Sequence, residues 1–492
     1  MRDSLFLLNR SGRINLQTEI RQVLVSAILT GHLPAGERVP SSRKMAQNMG
    51  VSRNTVVLAY QGLLDDGYLV AYERSGYYVN GKILEGRIAL APADQVANTG
   101  EESTIDWSRR FRVRPSEQDN ISKPKDWREY PYPFISGQVD PGLFPIAEWR
   151  ECSRQVLGKR WLDISTADAY GSDDEMLIEQ IRTHILPRRG ILADHDEILV
   201  TMGAQNALYL LASLLVSPET TVGFEEPGYP DARNIFRLKT NKLEFLDVDE
   251  HGLTLGPAFK NCNIIFTTPS YQAPTTVIMP PQRRRELLEA AEKYDCLIIE
   301  DDYEFDINFS ARPSPALKSQ DRSGRVIYVG SLSKTLFPGL RLGYLVGPRE
   351  LVREARQLRR LMVRHPPNNN QRTTALFLSL GHHDALVHRL HRTYQARGME
   401  MARALSRFFP YTPEISRSGG SSFWVQGPND LDADDLCVHA LENGIVIEPG
   451  TIWFGCQPEP QNYIRLGISS IDIDKISPGI ELLAQIIDQL KS

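Results

Sequence analysis

The first 80 residues place apolar side chains at a helical period. Leu16, Ile20, Val23, Leu24, Ala27 and Ile28 share one face of a helix over 16–30, and Gly31 ends it. A turn-rich run, 32–40, follows. Ser41 caps a second helix at 42–48, Gly50 supplies a turn, and Ser52 caps a third at 53–65, with Val56, Tyr60, Leu63 and Leu64 facing inward. Two short helices joined by a Gly-containing turn predict a helix-turn-helix. Residues 68–71 and 76–79 are β-prone, which predicts a hairpin with Arg74 at its tip.

From Pro131 onward the pattern changes. Apolar runs at 197–201, 221–224, 263–267, 296–300, 325–329 and 343–346 alternate with helical stretches such as 283–294. Buried strands alternating with helices predict an α/β domain built on a mostly parallel sheet. The expected organisation is a small helical domain at 1–80, a linker at 81–130 and a large domain at 131–492. Trp107 and Trp127 are the residues expected to order part of the linker.

Charge sharpens this division. Residues 1–80 carry nine Lys/Arg against six acids, +3 within a chain of net charge −5. A basic end on an acidic body points toward DNA. The N-terminal residues of the third helix, Ser52, Arg53, Asn54 and Thr55, form a donor-rich set suited to phosphates and base edges. The five cysteines form no CxxC pair, so no metal site is expected, and buried reduced thiols are. No run reaches the ~18 apolar residues of a membrane span, and the N-terminal apolar run is too short for a signal peptide, so a cytoplasmic protein without membrane partners is expected.

The large domain offers chemistry at its strand ends. Asp301 closes the run 296–300, where ligands of open α/β sheets bind. After 325–329 comes Gly-Ser331-Leu-Ser333-Lys334, followed by Arg341. Gly203, Ala204 and Gln205 end one strand and open a helix, the arrangement that receives phosphate. Tyr229 follows another strand and can cover a ring, and Arg465 lies late in the chain. A lysine for a Schiff base, a carboxylate for a pyridine nitrogen, a phosphate cradle, an aromatic cover and a carboxylate-binding arginine are the requirements of pyridoxal 5′-phosphate.

The stretch LPAGERVPSSRKMAQNMGVSRNTVVLAYQGLLDDGYL with the closing RSGYYV resembles the GntR-type winged helix-turn-helix. Residues 131–492 resemble fold-type I aminotransferases, and the whole chain resembles the MocR/GabR-type transcriptional regulators. The resemblance implies DNA contacts from Arg43, Ser52, Arg53, Thr55 and Arg74. It implies Lys334 as the aldimine lysine, Asp301 on the pyridine nitrogen and Tyr303 on the ring hydroxyl. It further implies Gly203, Ala204, Gln205, Ser331, Ser333 and Arg341 near the phosphate, Tyr229 over the ring, Arg465 on an effector carboxylate, and Tyr170 reaching a neighbouring subunit's phosphate. The implied function is a regulator that binds an operator duplex as a head-to-tail homodimer. It would sense a small amino compound, or the cofactor itself, through Lys334. Such a chain is a regulator rather than an enzyme, although a residual transamination half-reaction is compatible with it. The alternative is an active aminotransferase with an appended DNA-binding domain. Several positions depart from the family pattern: Ala273 stands where Asn is usual, Thr276 where Gly is usual, Tyr271 where His is frequent, Glu175 where Gly is expected, and the run 304–308 differs from the usual one after Tyr303. Arg233 and Arg364 are the candidates for a second effector-binding arginine.

Overall fold

The computed structural model describes residues 15–85, 105–307, 314–409 and 420–490. Part of the expected linker, 86–104, lies outside the described residues. The chain divides into two compact units, Met1–Arg110 and Phe111–Ser492.

The smaller unit carries α1 (Leu16–Leu29), α2 (Ser42–Met49) and α3 (Arg53–Asp65), then β1 (Leu69–Tyr72) paired antiparallel with β2 (Gly76–Val79). Each expected cap is in place. Ser41 accepts from the Lys44 N–H and Ser52 from that of Thr55, satisfying first-turn donors that a helix leaves open. Gly50 takes φ +64° between α2 and α3. The core is Ile20, Leu24, Ile28, Met45, Val56, Tyr60, Leu63 and their neighbours, with Leu69 and Val79 of the hairpin closing it. Leu64, expected inward, is only partly buried.

The larger unit is built on an eight-stranded sheet. Its strands are β4 (Ile198–Thr201), β5 (Val222–Glu226), β6 (Leu243–Asp249), β7 (Gly252–Leu253), β8 (Ile264–Thr267), β9 (Leu297–Asp302), β10 (Val326–Ser331) and β11 (Gly343–Val346), after a short β3 (Tyr132–Pro133). The order across the sheet is β4-β11-β10-β9-β8-β5-β6-β7. Pairs β10/β9, β9/β8, β8/β5 and β5/β6 are parallel, whereas β11 runs antiparallel to both its neighbours and β7 to β6. Successive strand residues face opposite sides, as a period of two requires. Leu199, Ile299 and Val329 pack beneath the helix Ala204–Leu215, whereas Val200 and Tyr328 join the larger core of Phe377, Leu390 and Leu483.

A second sheet, not apparent in the sequence pattern, orders as β12 (Ser422–Gln426), β15 (Tyr463–Gly467) and β14 (Glu448–Pro449), while β13 (Ile445–Val446) pairs with β3. Trp127 is buried against Ile135 and Val446, as expected of an ordering residue, but Trp107 is 55% exposed. Of the cysteines, Cys152, Cys262 and Cys296 are buried, Cys437 is half-buried and Cys456 is exposed, so the expectation of buried thiols fails at Cys456. No described helix is long and apolar enough to cross a membrane.

Candidate functional site

The carboxyl ends of β4, β5, β8, β9 and β10 lie along one edge of the large sheet, because those strands run the same way. Open α/β sheets bind ligands along such an edge. Asp301 is the penultimate residue of β9. It is buried, and its Oδ1 has no hydrogen-bond partner among the described residues. Burial, and next the charge of Asp302, push its carboxyl up to about 7. The Tyr303 hydroxyl is likewise buried without a partner. Lys334 follows β10, and its Nζ sits 5.6 Å from the Tyr303 ring centroid. Burial lowers the pKa of this ammonium. Gly137 takes φ +72°, a conformation that favours glycine, and a Cβ there would stand 2.7 Å from the Lys334 Nζ and displace the end of that side chain.

Gly203 caps the helix Ala204–Leu215 at φ +81°, and a Cβ there would lie 3.6 Å from the Arg341 guanidinium. Arg341 itself adopts φ +54° and donates to the Met202 carbonyl. Ser331 and Ser333 turn together beside them, the Ser333 N–H donating to the Ser331 Oγ at 3.3 Å. A helix N-terminus, hydroxyls and a guanidinium form a phosphate cradle in kind. Tyr229 and Gln205 converge on Asp231, Tyr229 at 3.0 Å. These residues fit pyridoxal phosphate: an orphaned carboxylate for the ring nitrogen, an orphaned phenol for the ring hydroxyl, and a glycine-opened cradle for the phosphate.

Arg465 on β15 is buried. It donates from Nε to the Ser422 Oγ at 3.2 Å and lies 3.5 Å from Glu448, its register partner on β14. Its guanidinium stacks 4.6 Å from the Trp453 ring centroid, and the Trp453 Nε1 is buried without an acceptor. Tyr170 stands apart. It is 40% exposed between the guanidiniums of Arg360, at 4.3 Å, and Arg364, at 5.2 Å. Of the two candidates for a second effector arginine, Arg364 pairs with Asp168 and Arg233 donates to the Ile452 carbonyl.

Several residues of this region carried no signal in the sequence. Glu225 is fully buried and accepts from the Thr267 hydroxyl at 2.6 Å, the Thr268 hydroxyl at 2.7 Å and the Gln272 amide at 3.2 Å. Gln272 also holds the Ala273 carbonyl at 2.9 Å, so the turn that lacks the usual Asn is fastened from below. Thr276 keeps φ +66° where Gly is usual, an uncommon conformation for a β-branched residue. Glu304 is buried and bound by the Ser421 N–H and hydroxyl.

In the smaller unit, Arg53 and Asn54 project from the N-terminus of α3, Arg43 from α2 and Arg74 from the hairpin tip. All four are exposed, and no side-chain hydrogen bond or ion pair joins Arg43, Arg53 or Arg74 to another described residue. Ser52 and Thr55 are partly committed to each other, with hydroxyls 2.8 Å apart. The donors are therefore grouped on the exposed side of a helix-turn-helix and its wing.

Residues 16–79 match the family described as bacterial regulatory proteins, gntR family, and residues 144–482 match aminotransferase class I and II. The chain is similar to the HTH-type transcriptional regulator TauR of Rhodobacter capsulatus, at 43% identity over 98% of each chain. It is also similar to the probable rhizopine catabolism regulatory protein MocR of Rhizobium meliloti, at 30% identity over 99% of this chain and 97% of that one. Among solved structures, LysN, the α-aminoadipate aminotransferase of Thermus thermophilus, complexed with N-(5′-phosphopyridoxyl)-L-leucine, superposes at a TM-score of 0.70. That match has 26% identity and covers 79% of this chain and 99% of that one.

Proposed function

This chain belongs to the MocR-type regulators, which join a GntR-type helix-turn-helix to a class I and II aminotransferase body, and from that premise we propose that it regulates transcription in response to a small amine. DNA is held by Arg43, Ser52, Arg53, Asn54, Thr55 and Arg74, and pyridoxal phosphate is held at Lys334. The reading rests on one conjunction: unpaired guanidiniums on an exposed recognition element, and a pocket whose Asp301 and Tyr303 lack partners, in the same chain. The domains follow as 1–80 for DNA, 81–130 as linker and 131–492 for the effector.

When bound, the cofactor supplies an aldehyde carbon that takes up primary amines. The residues of this chain prepare that exchange. Burial favours the neutral, nucleophilic form of the Lys334 amine. Asp301 would accept a hydrogen bond from the ring nitrogen and keep a proton there, while Tyr303 would serve the ring hydroxyl. Gly203, Ala204, Gln205, Ser331, Ser333 and Arg341 would hold the phosphate, and Tyr229 would cover the ring. Arg465 takes the anionic end of the effector, which must then displace Glu448 from its weak 3.5 Å contact. Tyr170, exposed on one chain, is available to the phosphate of a second in a head-to-tail dimer. The effector's binding is transmitted only so far as it prefers one conformation over another.

Absorbance of the purified protein tests the cofactor. Wild type should carry a visible band that borohydride fixes to the chain, and Lys334→Ala should lack it. A protein that stays colourless with added pyridoxal phosphate overturns the assignment. Steady turnover of an amino donor and a 2-oxoacid would establish the aminotransferase reading instead.

A further inference from the structure

A second cavity, of about 450 Å³, opens between residues 111–119 and the helix Pro230–Arg237. It shares no residue with the Lys334 pocket. Its wall is fastened to the helix by two hydrogen bonds: the Gln118 amide donates to the Asn234 carbonyl at 3.2 Å, and the Asn234 amide to the Asp119 carbonyl at 2.7 Å. Four guanidiniums line it, Arg112, Arg114, Arg233 and Arg237, against two carboxylates, Glu117 and Asp119. Four positive less two negative charges leaves +2. Arg114 is paired with Glu117 at 2.9 Å, so the excess falls on the other three arginines.

Arg233 is the decisive one. It is 7% exposed, and its Nε has no acceptor although it is buried. Its one side-chain hydrogen bond to a described residue runs from Nη2 to the Ile452 carbonyl at 2.8 Å, a neutral group. Burial first, and the neighbouring charge of Arg237 next, lower its pKa, against a smaller opposing pull from the Glu226 and Asp119 carboxylates, neither of which reaches ion-pair distance. A buried charge without an ionic partner is costly, and a second cation beside it raises the cost. An anion in the cavity removes both penalties.

We propose that this cavity binds a small phosphate-bearing dianion. Its volume lies within the range of small-molecule sites, about 300–1,000 Å³. A phosphate matches the charge excess, and its oxygens accept the paired N–H groups of planar guanidiniums. The concave shape and the burial of Arg233 suit a compact solute rather than the convex backbone of a duplex. The wall, 111–119, continues in the chain directly into the stretch that leads to the DNA-binding residues. An occupant that ties Arg112 to the helix arginines therefore fixes the point where that stretch departs. The site is a second input, built from residues other than those assigned to the cofactor and the amine.

Equilibrium dialysis of full-length protein against radiolabelled inorganic phosphate, at fixed ionic strength, tests this. The protein is first saturated with pyridoxal phosphate so that the Gly203 cradle is filled. Should the chain take up no cofactor, the Arg341→Gln variant disables the cradle instead. One saturable site per chain is expected. Arg237→Gln and Arg112→Gln, each at an exposed position, should weaken it about tenfold or more, the effect of losing one charge-assisted contact. Visible absorbance and melting temperature should match wild type in both, which checks their folding. Absence of saturable binding, or binding that survives both substitutions, overturns the proposal. Stoichiometric displacement by a short DNA duplex at equal phosphate concentration also overturns it, by assigning the arginines to nucleic acid.

Discussion

Asp301 is held in a state that suits a partner it does not have within the chain. Burial raises its carboxyl from 3.8 to about 7, with the Asp302 charge adding to the effect. Folding without cofactor therefore favours the neutral acid. The stability this contributes is full below pH 3.8 and is lost as pH rises toward 7. Asp301→Asn removes the loss. In the cofactor-free protein its melting temperature should equal wild type near about pH 4 and exceed it increasingly up to about pH 7, then hold. With pyridoxal phosphate bound the order should reverse at neutral pH, because the carboxylate then has a ring nitrogen to serve. Equal melting temperatures for both cofactor-free proteins at about pH 8 would refute the burial argument. The sequence made Asp301 and Lys334 legible because each sits at or beside a strand end within a recognisable run, and Arg465 because it lies in the late run Tyr-Ile-Arg-Leu-Gly, which forms β15. It did not reveal Glu448, whose side chain accepts from the Ser136 N–H across 312 residues of chain. Nor did it reveal Glu225, whose partners come from the next strand and turn. Such residues acquire meaning only when distant segments meet.

At the scale of elements, the caps carry much of the local order. Ser52 accepts from the Thr55 N–H at 3.2 Å and opens α3 just where the exposed Arg53 and Asn54 begin. Ser52→Ala should destabilise the smaller unit by about 1 kcal/mol. It should weaken DNA binding by more than that figure implies, since frayed donors must be reordered on contact. Denaturant melts followed by circular dichroism, set beside titration with operator DNA, give the two quantities; unchanged stability would show that the cap is idle. Six strands of the large sheet were legible to within two residues, because fully buried runs such as 326–331 leave few alternatives, whereas β6 and β7 went unread, β6 being only half-buried. Direction was not. The run that forms β11 reads like its neighbours, yet it returns antiparallel between β4 and β10. Apolar patterning reports burial and is blind to polarity. The small sheet of β12, β14 and β15 went unread because β14 spans only two residues and the other two strands interrupt their apolar runs with polar side chains, Ser422 and Gln426 in β12 and Arg465 in β15.

For the whole molecule, the two units have cores of their own, and tryptophan is unevenly shared between them. Five of the six tryptophans lie in the larger unit, and the sixth, Trp107, is exposed within the smaller. The blue-shifted fluorescence of the buried Trp127 and Trp453 thus follows the melting of the large unit. A ligand at 100 times its Kd stabilises the state that binds it by about 2.7 kcal/mol. Pyridoxal phosphate should accordingly raise the fluorescence-monitored melting temperature of wild type, and Lys334→Ala should show a smaller rise that follows from phosphate contacts alone. An identical rise in both would detach Lys334 from cofactor binding. The division into a basic N-terminal part and an acidic remainder, visible in the composition, corresponds to units joined near Arg110, within the stretch expected to be a linker.

The tip of the hairpin holds Arg74 at φ +61°, with the Ser75 N–H bonded to the Tyr72 carbonyl. An L-residue other than glycine resists that region by about 1–2 kcal/mol. Arg74→Gly should therefore tighten the hairpin by about 1 kcal/mol, after glycine's own entropic cost, while removing a guanidinium that we propose meets DNA. Thermal robustness and operator affinity would move in opposite directions at a single residue. A library selected only for heat resistance would enrich glycine there and yield sturdier proteins that have lost part of their grip on the operator.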